Sequence, residues 1–271
     1  MVSHDLNLEN SKKPLETYRL PNGMEIFHYD KFQTEALYQE IFAEESYYKF
    51  GVSLQDGDCV FDVGANIGMF SLFIISRFKN IQLYAFEPAP PTYEILAGNL
   101  AKYSNSAKAF NVGISDTEKL ADFTFYPNLS CYSSFFEEPA KDTEILSAVI
   151  QNQLVDIGSE AQKKQIAEMF LKKSLKKQVF SCRLIPLSQM IQSQSIEKIH
   201  LLKIDVEKAE WEVLEGINAA DWGKIQQVVM EIHDDRLLDK VTAKLKNIGY
   251  QVTVDIDKKF KDTSIYNLYA V

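Results

Sequence analysis

The sequence predicts an α/β protein built on a mostly parallel sheet with helices on both faces. Three observations predict it. From residue 57 onward, strand-length apolar runs alternate with helix-length ones, the rhythm of βα units. The stretch VFDVGANIG at 60–68 ends one such run on two close glycines, and AFEP at 85–88 ends the next on an acid. Near the C-terminus, QVTVDID and SIYNLYAV lie close enough to form an antiparallel pair. In sheets of this kind ligands bind beyond the carboxyl ends of the strands, where the winding reverses.

The elements follow in order. Residues 1–16 form a polar leader. YRLPNGMEIFHY at 18–29 sets Asn22-Gly23 between two alternating runs, a hairpin signal. Leu37, Ile41 and Phe42 share one face of an amphipathic helix over 34–51. CVFDVGA (59–65) is a buried strand, followed by the helix IGMFSLFIISRF. QLYAFEP (82–88) is the next strand, and PPTYEILAGNLAKY the next helix, with prolines where no amide donor is needed. AKAFNVGIS (107–115) is a third strand, and ADFTFYP a further one. Residues 137–178 are polar and helix-prone, a helical insertion or lid. The sheet resumes with VFSCRLIPL, IHLLKIDVE (199–207) and IQQVVMEIH (225–233). The helices AEWEVLEGI and DDRLLDKVTAKLKNIGY follow the last two, the second closed by Gly249. A single domain is expected: leader, hairpin and cap helix over 1–54, a cofactor-binding half over 55–136, the insertion, and a catalytic half over 179–271.

At 271 residues the chain can bury a substantial core. A net charge of −9 argues against broad nucleic-acid binding. The three cysteines are far apart and form no metal or disulfide pattern, which suits a reducing cytoplasm. The apolar run MFSLFII is too short to span a membrane, and the N-terminus lacks the apolar centre of a signal peptide.

The turn at 62–68 reads D-x-G-x-N-x-G. A dinucleotide loop would read G-x-G-x-x-G, and its second and third glycines are missing here. The spacing instead matches a loop that holds S-adenosylmethionine. Gly64 and Gly68 let the backbone turn sharply and lie against the ligand, with Ala65 and Asn66 between them. Asp62 would sit near the ligand's ammonium group, directly or through water. Glu87 would accept hydrogen bonds from both ribose hydroxyls, and Pro88 ends the strand. A phosphate-bearing cofactor would be repelled by these acids, whereas a sulfonium would be favoured.

Four blocks in this order, VFDVGANIGMFSLF, AFEPAPPTYEILAGNL, LLKIDVEKAEWEVLEGI and VVMEIHD, resemble the FkbM family of S-adenosylmethionine-dependent methyltransferases. The resemblance covers about residues 55–250. TEALYQEIFAEESYYKFGVSLQDGD resembles the lead-in of the O-methyltransferases of polyketide and nonribosomal-peptide assembly lines. The family implies a seven-stranded class I methyltransferase sheet, Rossmann-like, ending in the hairpin noted above. One position departs: Lys208 stands where the family has glycine, which would tighten or reshape that turn.

Methyl transfer to an alcohol needs alignment and removal of a proton. Of the four histidines, only His233 falls at the carboxyl end of a core strand, and it is the candidate general base. Glu231 shares its face and would orient the ring or raise its basicity. Asp205 would serve the same site or contact the cofactor or acceptor. Glu210 reads as a solvated helix start, and Glu207 stays open. Asp205, Glu231 and Asp234 could instead hold Mg²⁺, a reading ranked below metal-free base catalysis. Asn111 is expected near the adenine or methionine end, with Ser115 and Asp116 on the same rim. Tyr38, Tyr47 and Tyr48 would cover the cofactor or pack on the sheet.

Lys163, Lys164, Lys172, Lys173, Lys176 and Lys177 in the insertion form a solvated face or a docking patch for an acyl carrier protein bearing a phosphopantetheine-tethered substrate. SCYSSFFEEP (130–139) would then be a rim over the substrate. A stand-alone methyltransferase of a sugar or other small-molecule hydroxyl is the nearest alternative. A non-catalytic cofactor-binding scaffold comes next, and a nicotinamide-dependent oxidoreductase last.

Overall fold

The computed structural model describes residues 15–136, 138–154, 159–174 and 176–271. Most of the leader expected over 1–16, and the side chains of Lys172 and Lys173, lie outside this description.

The chain opens with a hairpin, β1 (Glu16–Arg19) and β2 (Glu25–His28), paired antiparallel around Asn22-Gly23. Helix α1 (Lys31–Tyr38) starts at Asp30, whose side chain accepts from the Gln33 amide, and runs into a π-helical turn, Gln39–Ala43. The helix expected over 34–51 is thus shorter: it starts at Lys31, passes into a π turn of a kind common near functional sites, and ends at Ala43, with residues 44–51 in turns. Then come β3 (Cys59–Val63), α2 (Met69–Arg77), β4 (Gln82–Phe86), α3 (Pro90–Tyr103) and β5 (Ala107–Phe110). Strands β6 (Gly113–Ser115) and β7 (Lys119–Phe125) precede the insertion helices α4 (Pro139–Gln153) and α5 (Glu160–Ser174). The chain continues through β8 (Gln178–Pro186), α6 (Leu187–Ser193), β9 (Leu201–Ile204), α7 (Glu210–Glu215), α8 (Ala219–Trp222) and β10 (Val228–Ile232). It ends with α9 (Asp235–Ile248), β11 (Val252–Asp255) and β12 (Tyr266–Ala270).

Seven strands form the main sheet in the order β11-β12-β10-β9-β3-β4-β5. Only β12 runs against its neighbours, pairing antiparallel with β10 and β11. The chain leaves β3 toward β4 and β5, then returns to lay β9 on the other side of β3. The winding reverses between β3 and β9, so the crevice beyond their carboxyl ends is where a ligand belongs. This is the class I methyltransferase sheet with its terminal hairpin.

Successive residues of a strand face opposite sides. Phe61 and Val63 of β3 enter a core shared with α6, α7 and α9, while Val60 enters a second core with α2, α3 and the hairpin. Burial on both faces explains why the central strands read as continuous apolar runs.

Two expectations are corrected. Residues 107–115 do not form one strand: β5 ends at Phe110, and β6 joins a separate three-stranded sheet in the order β6-β8-β7. The strand expected at 179–187 belongs to that small sheet as well, as β8 (178–186), pairing antiparallel along all of β7 while Leu187 opens α6. The break falls at Asn111, whose side-chain amide donates to the carbonyls of Glu87 (2.9 Å) and Pro88 (3.0 Å). The insertion helices pack through Leu129, Leu146 and Leu171, and Val149 meets Phe260 and Ile265. No described helix is long and apolar enough to cross a membrane.

Candidate active site

The loop after β3 is shaped by three positive φ angles. Gly64 has φ +75°, and a Cβ there would lie 1.7 Å from the Asp205 carbonyl oxygen. Gly68 has φ +90°, and its Cβ would lie 2.9 Å from Leu96 Cδ1 on α3. The space these glycines leave is taken by the residue after β9 and by α3, so both let the turn pack closely, and the Gly64 backbone lines the cleft. Asn66 between them is also left-handed, with φ 49°, and its Oδ1 accepts from the Ile67 amide at 2.7 Å. The Gly64 and Ala65 amides donate to the Phe86 carbonyl, which ties the turn to β4.

Glu87, one residue past β4, is buried. Oε2 accepts from the Asn66 amide (3.0 Å) and Oε1 from the Ala89 amide (2.9 Å), so each oxygen keeps lone-pair capacity. Burial pushes its pKa up to about 7, against the pull of those two amides and of Lys203. Glu87, Pro88, Gly64, Ala65 and Asn66 line one cleft, closed by Leu37 and Ile41 of the cap and by Gly113 and Ile114. Ser130, Ser133 and Phe135 line it too, so the rim expected over the substrate borders this cleft as well.

Asp62 is corrected. It is fully buried and is not among the residues lining the cleft. Its Oδ2 accepts from the Ser71 hydroxyl (2.6 Å), and Oδ1 lies 3.2 Å from the Lys203 ammonium. Lys203, which the sequence reading passed over, donates to the Gly64 carbonyl (2.8 Å) and lies 3.5 Å from Asp205 Oδ2. Burial works against its charge, but Asp62 and Asp205 outweigh that and hold its pKa above the ordinary value. Lys203 thus latches β3 to β9 at the reversal point and lines the cleft. A lysine inside the apolar run LLKID was the available signal, because a buried ammonium must be paired.

Asn111 does not line the cleft; it crosslinks the ends of β4 and β5. The Ser115 hydroxyl donates to Asp116. Of the three tyrosines, Tyr47 donates to Asp205 Oδ2 at 3.0 Å, Tyr38 stacks on Phe42, and Tyr48 packs on Phe73 and Phe78.

His233 lies one residue past β10, 5% exposed. Its Nδ1 is 2.7 Å from Glu210 Oε1, and its Nε2 is 3.1 Å from Glu231 Oε1 and 3.2 Å from Glu207 Oε2. Glu210 is fully buried, which overturns its reading as a solvated helix start. It holds the ring, while Glu231 faces the other nitrogen. Burial disfavours the imidazolium, but the Glu207 and Glu210 carboxylates more than offset it, and the pKa of His233 stands well above the usual range. Burial likewise raises Glu207 well above an ordinary carboxylate.

Glu207 and Lys208 both have positive φ, 50° and 77°. The turn keeps a glycine-like backbone despite the lysine, so its shape survives the departure from the family pattern. Lys208 Nζ pairs with Asp142 on α4, and its backbone amide donates to Glu210 Oε1 at 3.0 Å.

Asp205, Glu207, Glu231 and His233 offer ligand atoms within 4.8 Å of one another, a set able to hold a divalent cation. Asp234, expected in such a set, instead caps α9 by accepting from the Arg236 and Leu237 amides. Two chambers open onto His233. The larger lies between the cap, α4, α5 and residues 257–265; the smaller lies between residues 126–134, α4 and the 207–208 turn.

Residues 62–252 match the model of the methyltransferase FkbM domain. The chain is 36% identical over 270 residues to the 31-O-demethyl-FK506 methyltransferase FkbM of Streptomyces tacrolimicus, covering 94% of this chain and 96% of that one. It is 36% identical over 260 residues to the AMB antimetabolite synthetase AmbE of Pseudomonas aeruginosa, covering 93% of this chain but only 12% of the synthetase. It is 30% identical over 236 residues to the methyltransferase sdnD of Sordaria araneosa, covering 83% and 85%.

Proposed function

The chain belongs to the FkbM family of S-adenosylmethionine-dependent methyltransferases, and from that premise we propose that it methylates a hydroxyl of a polyketide-like intermediate carried on an acyl carrier protein, with His233 as general base. The cofactor supplies an activated methyl group on a sulfonium. Glu87 fits the role of ribose acceptor, with both oxygens anchored and its face on the cleft. Ala65, Asn66 and Pro88 line its surroundings, and Asp205 stands where the cleft meets the larger chamber.

One observation carries the catalytic assignment. Glu210 fixes His233 through Nδ1, and Nε2 lies at the junction of the chambers between Glu231 (3.1 Å) and Glu207 (3.2 Å), where an acceptor hydroxyl would take the place of one carboxylate. A hydroxyl placed there can donate to Nε2, and the carboxylates stabilise the imidazolium that forms. Positioning and proton removal are what an alcohol acceptor requires of the protein.

The carrier reading is supported by the match within a synthetase and by the insertion lysines, of which Lys164, Lys176 and Lys177 are exposed. A free small-molecule hydroxyl is the second reading, favoured by the match along almost the whole of FkbM. Assisted proton removal by Mg²⁺ is favoured by the gathering of four ligand atoms.

The test is mass spectrometry of carrier-bound hydroxyacyl chains after incubation with the methyl donor, looking for the mass of one added CH₂. Transfer should survive chelator and vanish in His233→Ala. Loss in chelator, restored by Mg²⁺, would replace the base with a metal. Reversing the charges of Lys172, Lys173, Lys176 and Lys177 should weaken transfer to the carrier-bound substrate and spare a small thioester mimic; equal effects on both would remove the docking role.

A further inference from the structure

Glu40 and Lys259 stand outside the set around His233, yet they line the same larger chamber. Lys259 Nζ lies 2.7 Å from Glu40 Oε2, and the two side chains are only 18% and 14% exposed. Glu40 sits on the π turn of the cap, and Lys259 on a short turn, Lys258–Phe260, between β11 and β12. The Lys259 backbone is fixed from two sides. Its amide donates to Asp257 Oδ1 (3.0 Å), and its carbonyl accepts from the Asn152 side-chain amide on α4 (3.0 Å).

The walls around the pair are apolar, with Ile41, Leu129, Val149, Ile150 and Ile265. In such surroundings an ion pair stabilises a fold no better than packed apolar side chains would. A few placed polar groups in an apolar chamber do, however, fix the orientation of a ligand. The pair also has capacity to spare. Glu40 Oε1 has no hydrogen-bond partner among the described residues. Of the three Lys259 ammonium protons, one goes to Glu40 and one side of the group faces the Phe260 ring at 4.4 Å, which leaves a proton to donate. An acceptor and a donor side by side, with no net charge, match a neutral group that does both. A carboxylate would meet Glu40 and the carboxyls around His233, and a hydrocarbon would leave both groups unused.

We propose that Glu40 and Lys259 bind a second, neutral polar group of the acceptor, a hydroxyl or a secondary amide, which donates to Glu40 Oε1 and accepts from Lys259 Nζ. The pair thereby decides which hydroxyl of the acceptor reaches His233. The inference rests on the O-methylation reading and adds a specificity-determining pair to it.

The experiment compares alcohols of equal chain length that carry, at successive positions from the reacting hydroxyl, a second hydroxyl, a secondary amide, a carboxylate or a plain methylene. Burial pushes the pKa of Glu40 up to about 7, against the pull of Lys259, so the assay is run at about pH 8.5, where Glu40 is ionised. At the best position, wild-type kcat/KM for the hydroxyl or amide compound should exceed that for the methylene and carboxylate compounds at least about tenfold, and the better of the two names the group. Lys259→Met should erase most of that preference. The double variant Glu40→Leu/Lys259→Met, which leaves no buried ion unpaired, should erase it with S-adenosylhomocysteine affinity and melting temperature retained. A pair that only ties the cap to the 258–260 turn would lower turnover of every alcohol alike and keep the ratio. An unchanged ratio in the double variant, or no preference in the wild type, therefore overturns the inference while O-methylation stands. Binding of S-adenosylhomocysteine with no transfer to any of the alcohols sinks the O-methylation reading, and this inference with it.

Discussion

The cofactor cleft and the acceptor junction meet at Glu207, yet they are built by different means. The cleft is largely backbone: the turn at 64–68, its amides tied to Phe86 and Glu87, its shape set by where a Cβ cannot go. The junction is side chain: Asp205, Glu207, Glu210, Glu231 and His233 come from two stretches, 205–210 and 231–233, and set four carboxyls around one imidazole. A backbone site tolerates exchange of its side chains but not of its glycines. A side-chain site fails one function at a time. Substitutions should therefore sort by region into those that remove cofactor and fold together and those that remove turnover alone.

The largest effect is expected at Gly64. Alanine there must adopt φ +75°, at a cost of about 1–2 kcal/mol, and must push the Asp205 carbonyl away from 1.7 Å. The Lys203 latch onto the Gly64 carbonyl moves with it. Gly64→Ala should lower the melting temperature by about 10 °C or more and weaken S-adenosylhomocysteine binding by at least about 100-fold. Scanning fluorimetry and calorimetry read both. A folded variant with normal affinity would break the claim that this cleft is made of backbone.

Next come His233→Ala and Glu210→Gln, each expected to lower kcat by about 10²–10⁴ with cofactor affinity unchanged. Because the carboxylates hold the His233 pKa well above its usual value, the neutral ring is scarce near neutrality and kcat/KM should rise with pH on the alkaline side. Removing the Glu210 charge lowers that pKa, so the rising limb should move to lower pH in Glu210→Gln. A limb that stays in place, or moves upward, would detach Glu210 from the ring's titration.

The same contrast decides what was legible in the sequence. D-x-G-x-N-x-G and the acid after β4 lie within one βαβ unit, so spacing alone located Gly64, Asn66 and Glu87. Even so, Asp62 was placed at the ligand, because nothing local shows that Lys203, on a strand far along the chain, occupies its carboxylate. His233 was found by its place at a strand end. Glu210 reads as solvated because acids at a helix start commonly are, and only its bond to His233, beyond the end of β10, shows that this one turns inward. The split at Asn111 was hidden for a similar reason. The apolar alternation continues through it, and the departure to a second sheet depends on pairing with β8, far along the chain.

A smaller effect is expected at Glu87. Its carboxyl, near 4.5 when exposed, sits at about 7 in the fold. Between these values the native state keeps a proton that the unfolded chain has lost. Its contribution to stability is therefore full below 4.5 and is lost as pH rises through about 7. Ribose hydroxyls donate, so the ionised form binds them better. S-adenosylhomocysteine affinity should therefore tighten as pH rises through about 7. Glu87→Gln should cost about 10–100-fold in affinity and flatten that dependence. An affinity independent of pH in the wild type would remove Glu87 from the ribose.

The smallest effect, and the finest test of the comparison, is at Lys208. A lysine at φ 77° costs about 1–2 kcal/mol, which glycine would relieve. Glycine returns about 0.5–1 kcal/mol of that through its greater freedom in the unfolded chain. It also gives up the half-exposed pairing with Asp142, worth at most about 1 kcal/mol. These terms nearly cancel, so Lys208→Gly should leave the melting temperature within about 4 °C of wild type. Its consequence is positional, because the pair ties α4, which lines both chambers, to the turn that carries Glu207. Freed of it, α4 can shift, and the acceptor KM should rise a few-fold while S-adenosylhomocysteine affinity holds. If cofactor affinity moved more than the acceptor KM, the turn would belong to the cleft rather than the junction, and the division drawn between the two regions would fall at Asp205 instead.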